Sequence, residues 1–504
     1  MTTAAIAHLA GPARRAGLAA ALGLCCSLLA GCATPPAHPA VAGAPAVAVP
    51  AAWSAGPPAS AEATSLTRWW TRFQDPTLTT LVDQALASGT DVQRAQAALR
   101  QANALRDASE AALWPTLRLS ASAQHSTSGG DSNGTPLAVG LGAAWSPDLS
   151  GLRRSALNAS EANALASAAT LGDVQRALAA SVAQNYIALR STQQRLDIAE
   201  DNLASQRETL QITQWREQAG LVTSLESEQA RGAANQTAAL LPTLQTSVDQ
   251  SQHALAVLTG QPPAALASTL TTRAPLPQAA DDLALGIPAQ ALRQRPDVQA
   301  AELQVQAAWA RVDQARAAAA PDLSLSGSLG LSALSLGALT NGASVVSALM
   351  ASVAMPLFDG GAISANVRAQ QAAAEQARAA WQATVLAALK DVEDVLAALQ
   401  GDRQRITLLA QAADAASNAS GLARQRYGSG LVDFQTVLET QRTLLATQSA
   451  VASARADQSA DQVRLYAALG GGWQADNRAT ARATPAASAS PRSANNTPAS
   501  TTSP

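Results

Sequence analysis

Aromatic side chains make up only 3% of this sequence, with three phenylalanines and three tyrosines in 504 residues. A chain of that length can bury several cores, but one so poor in large rings and so rich in alanine does not fill a broad globular interior. It suits long helices whose backbones approach closely. An excess of either charge is also missing: 34 basic residues face 36 acidic ones, a net of −2. That removes the electrostatic footprint of a nucleic-acid binder. Lys390 stands alone among arginines. Catalytic signatures are absent too. His38, His125 and His253 fall in a linker, a predicted loop and a predicted helix, far apart in sequence. There is no Cys/His ligand spacing, Gly-rich phosphate loop or nucleophile elbow. Asp391, Glu393 and Asp394 cluster, but acids spread round a helix read as a solvated face. These absences argue against an enzyme and against any nucleotide-driven activity of the chain itself.

Cysteine is scarce as well, at three. Arg14 and Arg15 precede an apolar run from Ala16 to Leu29, too short to span a bilayer as a mature helix, so residues 1–31 read as a cleaved export signal. The run ends in Leu29-Ala30-Gly31-Cys32, which resembles a bacterial lipobox, where the cysteine is lipidated and becomes the first mature residue. Cys25 and Cys26 leave with the signal, so Cys32 remains alone and no intramolecular disulfide forms. Among known lipoproteins an Asp after that cysteine goes with inner-membrane retention. Ala33 here favours the outer membrane. Residues 32–62 are Ala/Pro-rich without a period and read as a tether.

What is present is periodic, and it occurs twice. Gly220-Leu221-Val222 recurs as Gly430-Leu431-Val432, and the same shift of 210 carries Leu255 onto Leu465 and Gly260 onto Gly470. Each glycine-bearing stretch interrupts long helix-forming runs and predicts the turn of a helical hairpin. Val182, Leu189, Leu196, Leu203 and Leu210 recur every seven residues, as do Val385, Val392, Leu399, Ile406 and Ala413. Upstream the shift is 206, carrying Asp91-Val92-Gln93 onto Asp297-Val298-Gln299 and Pro115 onto Pro321. A first helix is expected from about Thr77 to Trp114, a second from Leu152 to about Trp215, and return helices from Thr223 to Leu258, kinked at Pro242, and from Asp433 to Leu469. The halves are residues 63–260 and 289–473, joined by a Pro-rich surface connection at 261–288 and followed by a disordered tail at 474–504.

Between the helices the period changes to two. Leu117, Leu119, Ala121 and Ala123 alternate with Arg118, Ser120, Ser122 and Gln124, and a second apolar strand runs from Leu137 to Trp145. Asp322–Leu329 and about Ser344–Ala354 repeat the pair. These strands have the roughly ten-residue length of transmembrane β-strands. With the rest of the chain helical, lipid is the natural partner for their apolar face. Four strands cannot close a barrel, and an open edge cannot stand in lipid, so the sheet must close with other copies of the chain.

These residues resemble the outer-membrane efflux lipoproteins of the TolC/NodT family. The resemblance rests on the lipobox, Trp70…Phe73-x-Asp75-Pro76-x-Leu78, Leu292-x-x-Arg295-Pro296-Asp297-Val298 and Pro321-x-Leu323-x-Leu325-x-Gly327-x-Leu329-Gly330. It extends through Pro356-Leu357-Phe358-Asp359-Gly360-Gly361, Arg426-Tyr427-x-x-Gly430-Leu431-Val432 and Leu469-Gly470-Gly471-Gly472-Trp473. It implies a mainly helical chain with membrane β-structure. Internally duplicated helical hairpins would form a periplasmic α-barrel, and four strands per chain would join a trimeric 12-stranded outer-membrane β-barrel.

The resemblance further implies a passive exit duct for small molecules in a tripartite efflux pump, without cofactor. Its partners would be a periplasmic adaptor and an inner-membrane transporter of RND type. Diacylglycerol and an N-acyl chain would sit on Cys32, in the outer membrane of a Gram-negative bacterium. The adaptor would dock at Gly220-Leu221 and Gly430-Leu431, although a capping glycine in a helical hairpin accounts for the glycines alone. The periplasmic gate would lie at Glu439, with Thr436 standing where the family usually has Asp and Asp433 nearby. Glu439 reads equally as a solvated helix charge. A type I secretion duct for proteins and a non-conducting coiled-coil lipoprotein are the competing readings.

Overall fold

The computed structural model describes residues 48–54, 66–125, 127–128, 131–132, 136–279, 288–341 and 344–473. The expected signal, Cys32, most of the tether, part of the first strand loop and the tail from 474 lie outside them. The chain divides into Met1–Val49 and Pro50–Pro504, and the account below concerns the second unit.

In chain order its main elements are helices α1 (Pro76–Ser88) and α2 (Thr90–Ala111), strands β1 (Thr116–Ala123) and β2 (Leu137–Trp145), and the hairpin α3 (Leu152–Gln218) and α4 (Ser224–Leu258). Then come α5 (Pro296–Ala317), strands β3 (Asp322–Ala333) and β4 (Ser344–Ala354), and the second hairpin α6 (Ala362–Gly428) and α7 (Phe434–Ala468). The duplication is visible in their lengths. α3 and α6 each have 67 residues, α4 and α7 each 35, and α2 and α5 each 22. A 67-residue helix is about 100 Å long at the usual rise per residue.

Helix formation follows the sequence with one correction. The helix expected from Thr77 to Trp114 is two. Gly89 between them is extended at φ −60°, ψ 134°, and a Cβ there would stand 2.5 Å from the Ala85 carbonyl oxygen. The chain turns where only glycine fits. Pro242, by contrast, sits inside α4 without ending it. The heptad positions Val182, Leu189, Leu196 and Leu203 are buried, as are Val385, Val392 and Leu399, while Leu210, Ile406 and Ala413 are half-buried. Each buried leucine or valine contributes about 1.5–3 kcal/mol, so the seam is the main cohesive force along hairpins otherwise lined by alanine.

The scarce aromatics are concentrated where the helices and the N-terminal segment converge. Trp69 lies 5.5 Å from Tyr466 between ring centroids, with Trp70 and Phe73 edge-on to Trp69. Asp75 caps α1 by accepting from the Leu78 amide at 2.9 Å, and its other oxygen accepts from the Tyr186 hydroxyl at 2.8 Å. Arg295 stands just before α5 and is 4% exposed; it reaches Asp297 at 2.7 Å, Asp391 at 3.2 Å and the Ala468 carbonyl at 3.1 Å.

The acidic face leaves Asp391 and Asp394 exposed, and each of its three acids also has a partner. Asp391 holds Arg295, Glu393 accepts from the amide and hydroxyl of Ser54, and Asp394 pairs with Lys390. With Trp53 packed on the same core, the described end of the tether is fastened to α6. The connection after Gly260 is also more than surface: Leu270 is fully buried, and Arg190 donates to the Thr272 carbonyl at 2.7 Å. Residues 280–287 of that connection lie outside the described residues.

The four strands form one antiparallel meander in the order β1-β2-β3-β4. Register sorts the side chains by face. One row runs Leu119, Leu141, Leu329, Ser347, and the next Ala121, Val139, Leu331, Val345. The opposite face carries Arg118, Gly142, Ser328, Ala348. Leu117, Leu119, Leu349 and Val353 on the first face are each at least 69% exposed. Among the described residues no helix is long and apolar enough to cross a membrane. β1 and β4 are left as unpaired edges within the chain.

Candidate functional site

The two hairpin turns lie at the same end of the helices and are built alike. α3 ends when the Leu221 amide donates to the Arg216 carbonyl at 2.8 Å and the Gly220 amide to Glu217 at 2.9 Å. α6 ends with Leu431 to Arg426 at 2.9 Å and Gly430 to Tyr427 at 3.0 Å. Both patterns require a left-handed residue just beyond the helix, and Gly220 and Gly430 supply it at φ 71° and 72°. The capped turns project Leu221 and Leu431, 69% and 74% exposed, away from the helices. A glycine cap does not demand an exposed leucine at the next position, so each tip presents an apolar knob that its own fold does not use.

The expected gate residues begin α7. Asp433 is its N-cap, accepting from the Thr436 amide at 2.9 Å and from the Thr436 hydroxyl at 2.6 Å. The Thr436 hydroxyl and amide hold the Asp433 carboxyl below the usual carboxylate range. One turn further, Glu439 shares the exposed side of the helix with Thr436. Asp433 is therefore engaged locally, whereas Glu439 presents its charge to solvent.

A contact that the sequence did not announce joins the two tips. Tyr427 packs against Phe434 at 5.2 Å between centroids, and its hydroxyl donates to the Glu226 carboxylate. Arg216 covers its ring at 4.6 Å and donates to its carbonyl at 3.3 Å. Burial, then the Glu226 hydrogen bond and charge, push the Tyr427 hydroxyl up to about 12. Ala230 and Ala233 of α4 and Ala423, Val437 and Leu438 of the second hairpin complete a small apolar core around it. The repeat offset held a clue: Glu226 occupies in the first half the position of Thr436 in the second. The acid absent from one tip is present at the other.

Among the described residues no group of three His, Cys, Asp or Glu could hold a metal ion. What this end exposes is the pair Leu221 and Leu431 and the Glu439 side chain. Cys32 lies outside the described residues.

The sequence profile of the family described as outer membrane efflux protein matches the chain twice, at residues 81–261 and 287–471. The chain is 34% identical over 471 residues to the pyoverdine export outer membrane protein OpmQ of Pseudomonas putida, covering 90% of this chain and 97% of that one. It is 31% identical to the solvent efflux pump outer membrane protein SrpC of Pseudomonas putida, over 82% of this chain and 88% of that one. The solved outer-membrane channel OprN superposes with a TM-score of 0.77 at 32% identity, covering 84% of this chain and 98% of that one.

Proposed function

The chain belongs to the outer membrane efflux protein family, and on that premise we propose that it is the channel subunit of a tripartite efflux pump. In this reading it is a passive duct through which small molecules leave across the outer membrane. The observation that carries the proposal is the sheet: one face rich in leucine and valine, the other mostly of small and polar residues apart from Val346 and Met350, and two open edges. Such a sheet is stable in lipid only when closed by further copies. Three copies would give 12 strands. The helical hairpins would then continue the duct into the periplasm, and diacylglycerol with an N-acyl chain on Cys32 would anchor each chain.

The exposed Leu221 and Leu431 support docking of an adaptor at the tips, which would link the duct to an inner-membrane transporter of RND type. Glu439 carboxylates brought together by symmetry would favour cations and, by mutual repulsion, opening. With Thr436 in place of the second acid, this ring of charge is single. A small-molecule cargo is favoured over a protein because the relatives named above act in pyoverdine export and solvent efflux.

The test is single-channel conductance in a planar bilayer, on detergent-purified protein whose mass is measured in the same preparation. A trimeric mass with discrete current steps supports the proposal. A monomeric mass without conductance overturns it in favour of a coiled-coil spacer. Cys32→Ser separates the same alternatives, since a lipid-held spacer becomes soluble while a barrel stays in the membrane.

A further inference from the structure

Asp402 lies on α6 with 9% of its surface exposed, and Asp461 approaches it from α7 at 7%. No hydrogen-bond donor among the described residues reaches Asp402 Oδ2, which is closed off from water. The neighbouring polar group acting on the Asp402 side chain from α7 is another acceptor, the Asp461 carboxyl. Around the pair, Asp457 is held by Arg405 at 3.0 Å and Asp461 by Arg464. Among the described residues, three carboxylates thus meet two paired guanidinium groups, and the carboxylate without an ion pair is Asp402. The titratable groups acting on it come from α7, as Asp461 and Asp457, and from α6 itself, as Arg405. An enclosed carboxylate with no donor is satisfied only by becoming a donor.

Helix packing does not require this arrangement. At the repeat offset of 210, the first hairpin has Thr192 and Ser251 where the second has Asp402 and Asp461, and Ser247 where it has Asp457. Nor do the acids form a cation site: two of the three are committed to arginines, and no metal-holding group occurs among the described residues. A proton is the ligand that remains.

We propose that Asp402 carries a proton and donates it to Asp461, clasping α6 to α7, and that rising pH removes this proton and loosens the second hairpin while leaving the first unaffected. Burial and then the Asp461 charge raise Asp402 above its ordinary 3.8. The sign follows from linkage. Between the ordinary and the raised value, the packed state holds the proton and the opened state releases it. The opening constant therefore rises about tenfold per pH unit across that window and levels off above it.

Hydrogen exchange on the detergent-solubilised full-length protein, across a pH series and corrected for intrinsic rates, reads this directly. Amides of α6 and α7 around Asp402 and Asp461 should lose protection as pH rises through the window, and those around Thr192 and Ser251 should not. In Asp402→Asn, whose amide donates at every pH, the second hairpin should keep its acid-pH protection throughout. Identical profiles in wild type and variant, or in both hairpins, would overturn the proposal. Infrared difference spectra isolate this group, because only the wild type carries the Asp402 carboxyl among otherwise identical acids. At a pH where exposed carboxyls are already ionised, wild type minus Asp402→Asn should show a protonated-carboxyl carbonyl band that disappears as pH rises further, and absence of that difference band sinks the idea.

Discussion

Arginine placed at Leu329 and, separately, at its neighbour Ser328 should have opposite outcomes, because register puts the two on opposite faces of β3. Leu329 stands between Leu141 and Ser347 on the leucine-rich face, and Ser328 between Gly142 and Ala348 on the small-residue face. Both lie in the interior of a 12-residue strand, so depth in the bilayer does not separate them. On a lipid-facing side near mid-depth, arginine costs about 2–4 kcal/mol. Losing the leucine's transfer energy adds about 2 kcal/mol. The sum, about 4–6 kcal/mol per chain, rivals the whole stability of an ordinary domain. On the inward face a hydrated arginine costs close to nothing in stability. Its effect should instead be on ion preference. The assay is guanidinium unfolding in vesicles of one lipid composition, with folded protein followed by its heat-sensitive electrophoretic mobility. Leu329→Arg should fail to insert or unfold at much lower denaturant, while Ser328→Arg should match wild type. Equal tolerance of both, or failure of Ser328→Arg alone, would refute the assignment of faces.

Tyr427→Phe deletes the donor to Glu226 and should weaken the joined tips by about 1 kcal/mol, seen as several-fold faster limited proteolysis near the turns. Because the hydroxyl is raised from 10.0 to about 12, the contact is intact below pH 10 and is lost as pH climbs toward the raised value, a trend absent from the Phe variant. Arg295→Ala leaves Asp297 and the Ala468 carbonyl without their partner and should lower stability by about 3 kcal/mol in chemical unfolding, the lower end for a partly buried pair. Burial alone would raise Asp297, but Arg295 outweighs it and holds it below 3.8, so this stabilisation is present above that value and fades as acid titrates Asp297. Glu439→Ala should raise leak conductance and weaken cation preference in planar bilayers. Unchanged currents would mean that the residue is a solvated helix charge.

Periodicity made most of the architecture legible. A seven-residue repeat and a two-residue repeat are properties of neighbouring positions, and the matched offsets placed the hairpins and strands in both halves. What stayed hidden depends on partners distant in sequence. The expected first helix ran through Gly89, where a Cβ would also stand 2.9 Å from the Leu178 side chain and 3.3 Å from the Leu258 carbonyl, both far off in sequence. Asp391 and Glu393 gave no sign of partners because Arg295 and Ser54 come from other segments. At the tips, Gly220 and Gly430 could be read from their caps, since a left-handed residue after a helix is a local demand. Tyr427 and Glu226 meet across 201 residues, and neither is unusual in its own helix. Asp402 and Asp461 were hidden in the same way, since they come from different helices 59 residues apart.

The ion pair between Lys390 and Asp394 has a practical consequence. It contains the single lysine in 504 residues, with 71% of its side chain exposed. Apart from the α-amine, amine-directed chemistry therefore meets each chain at one side chain, on the helix that holds Ser54 through Glu393. A fluorophore coupled there gives one dye per protomer, so stepwise photobleaching counts chains in a single assembled particle. The dye would lie three residues from Glu393, the group that holds Ser54, so its environment would report whether the tether stays docked.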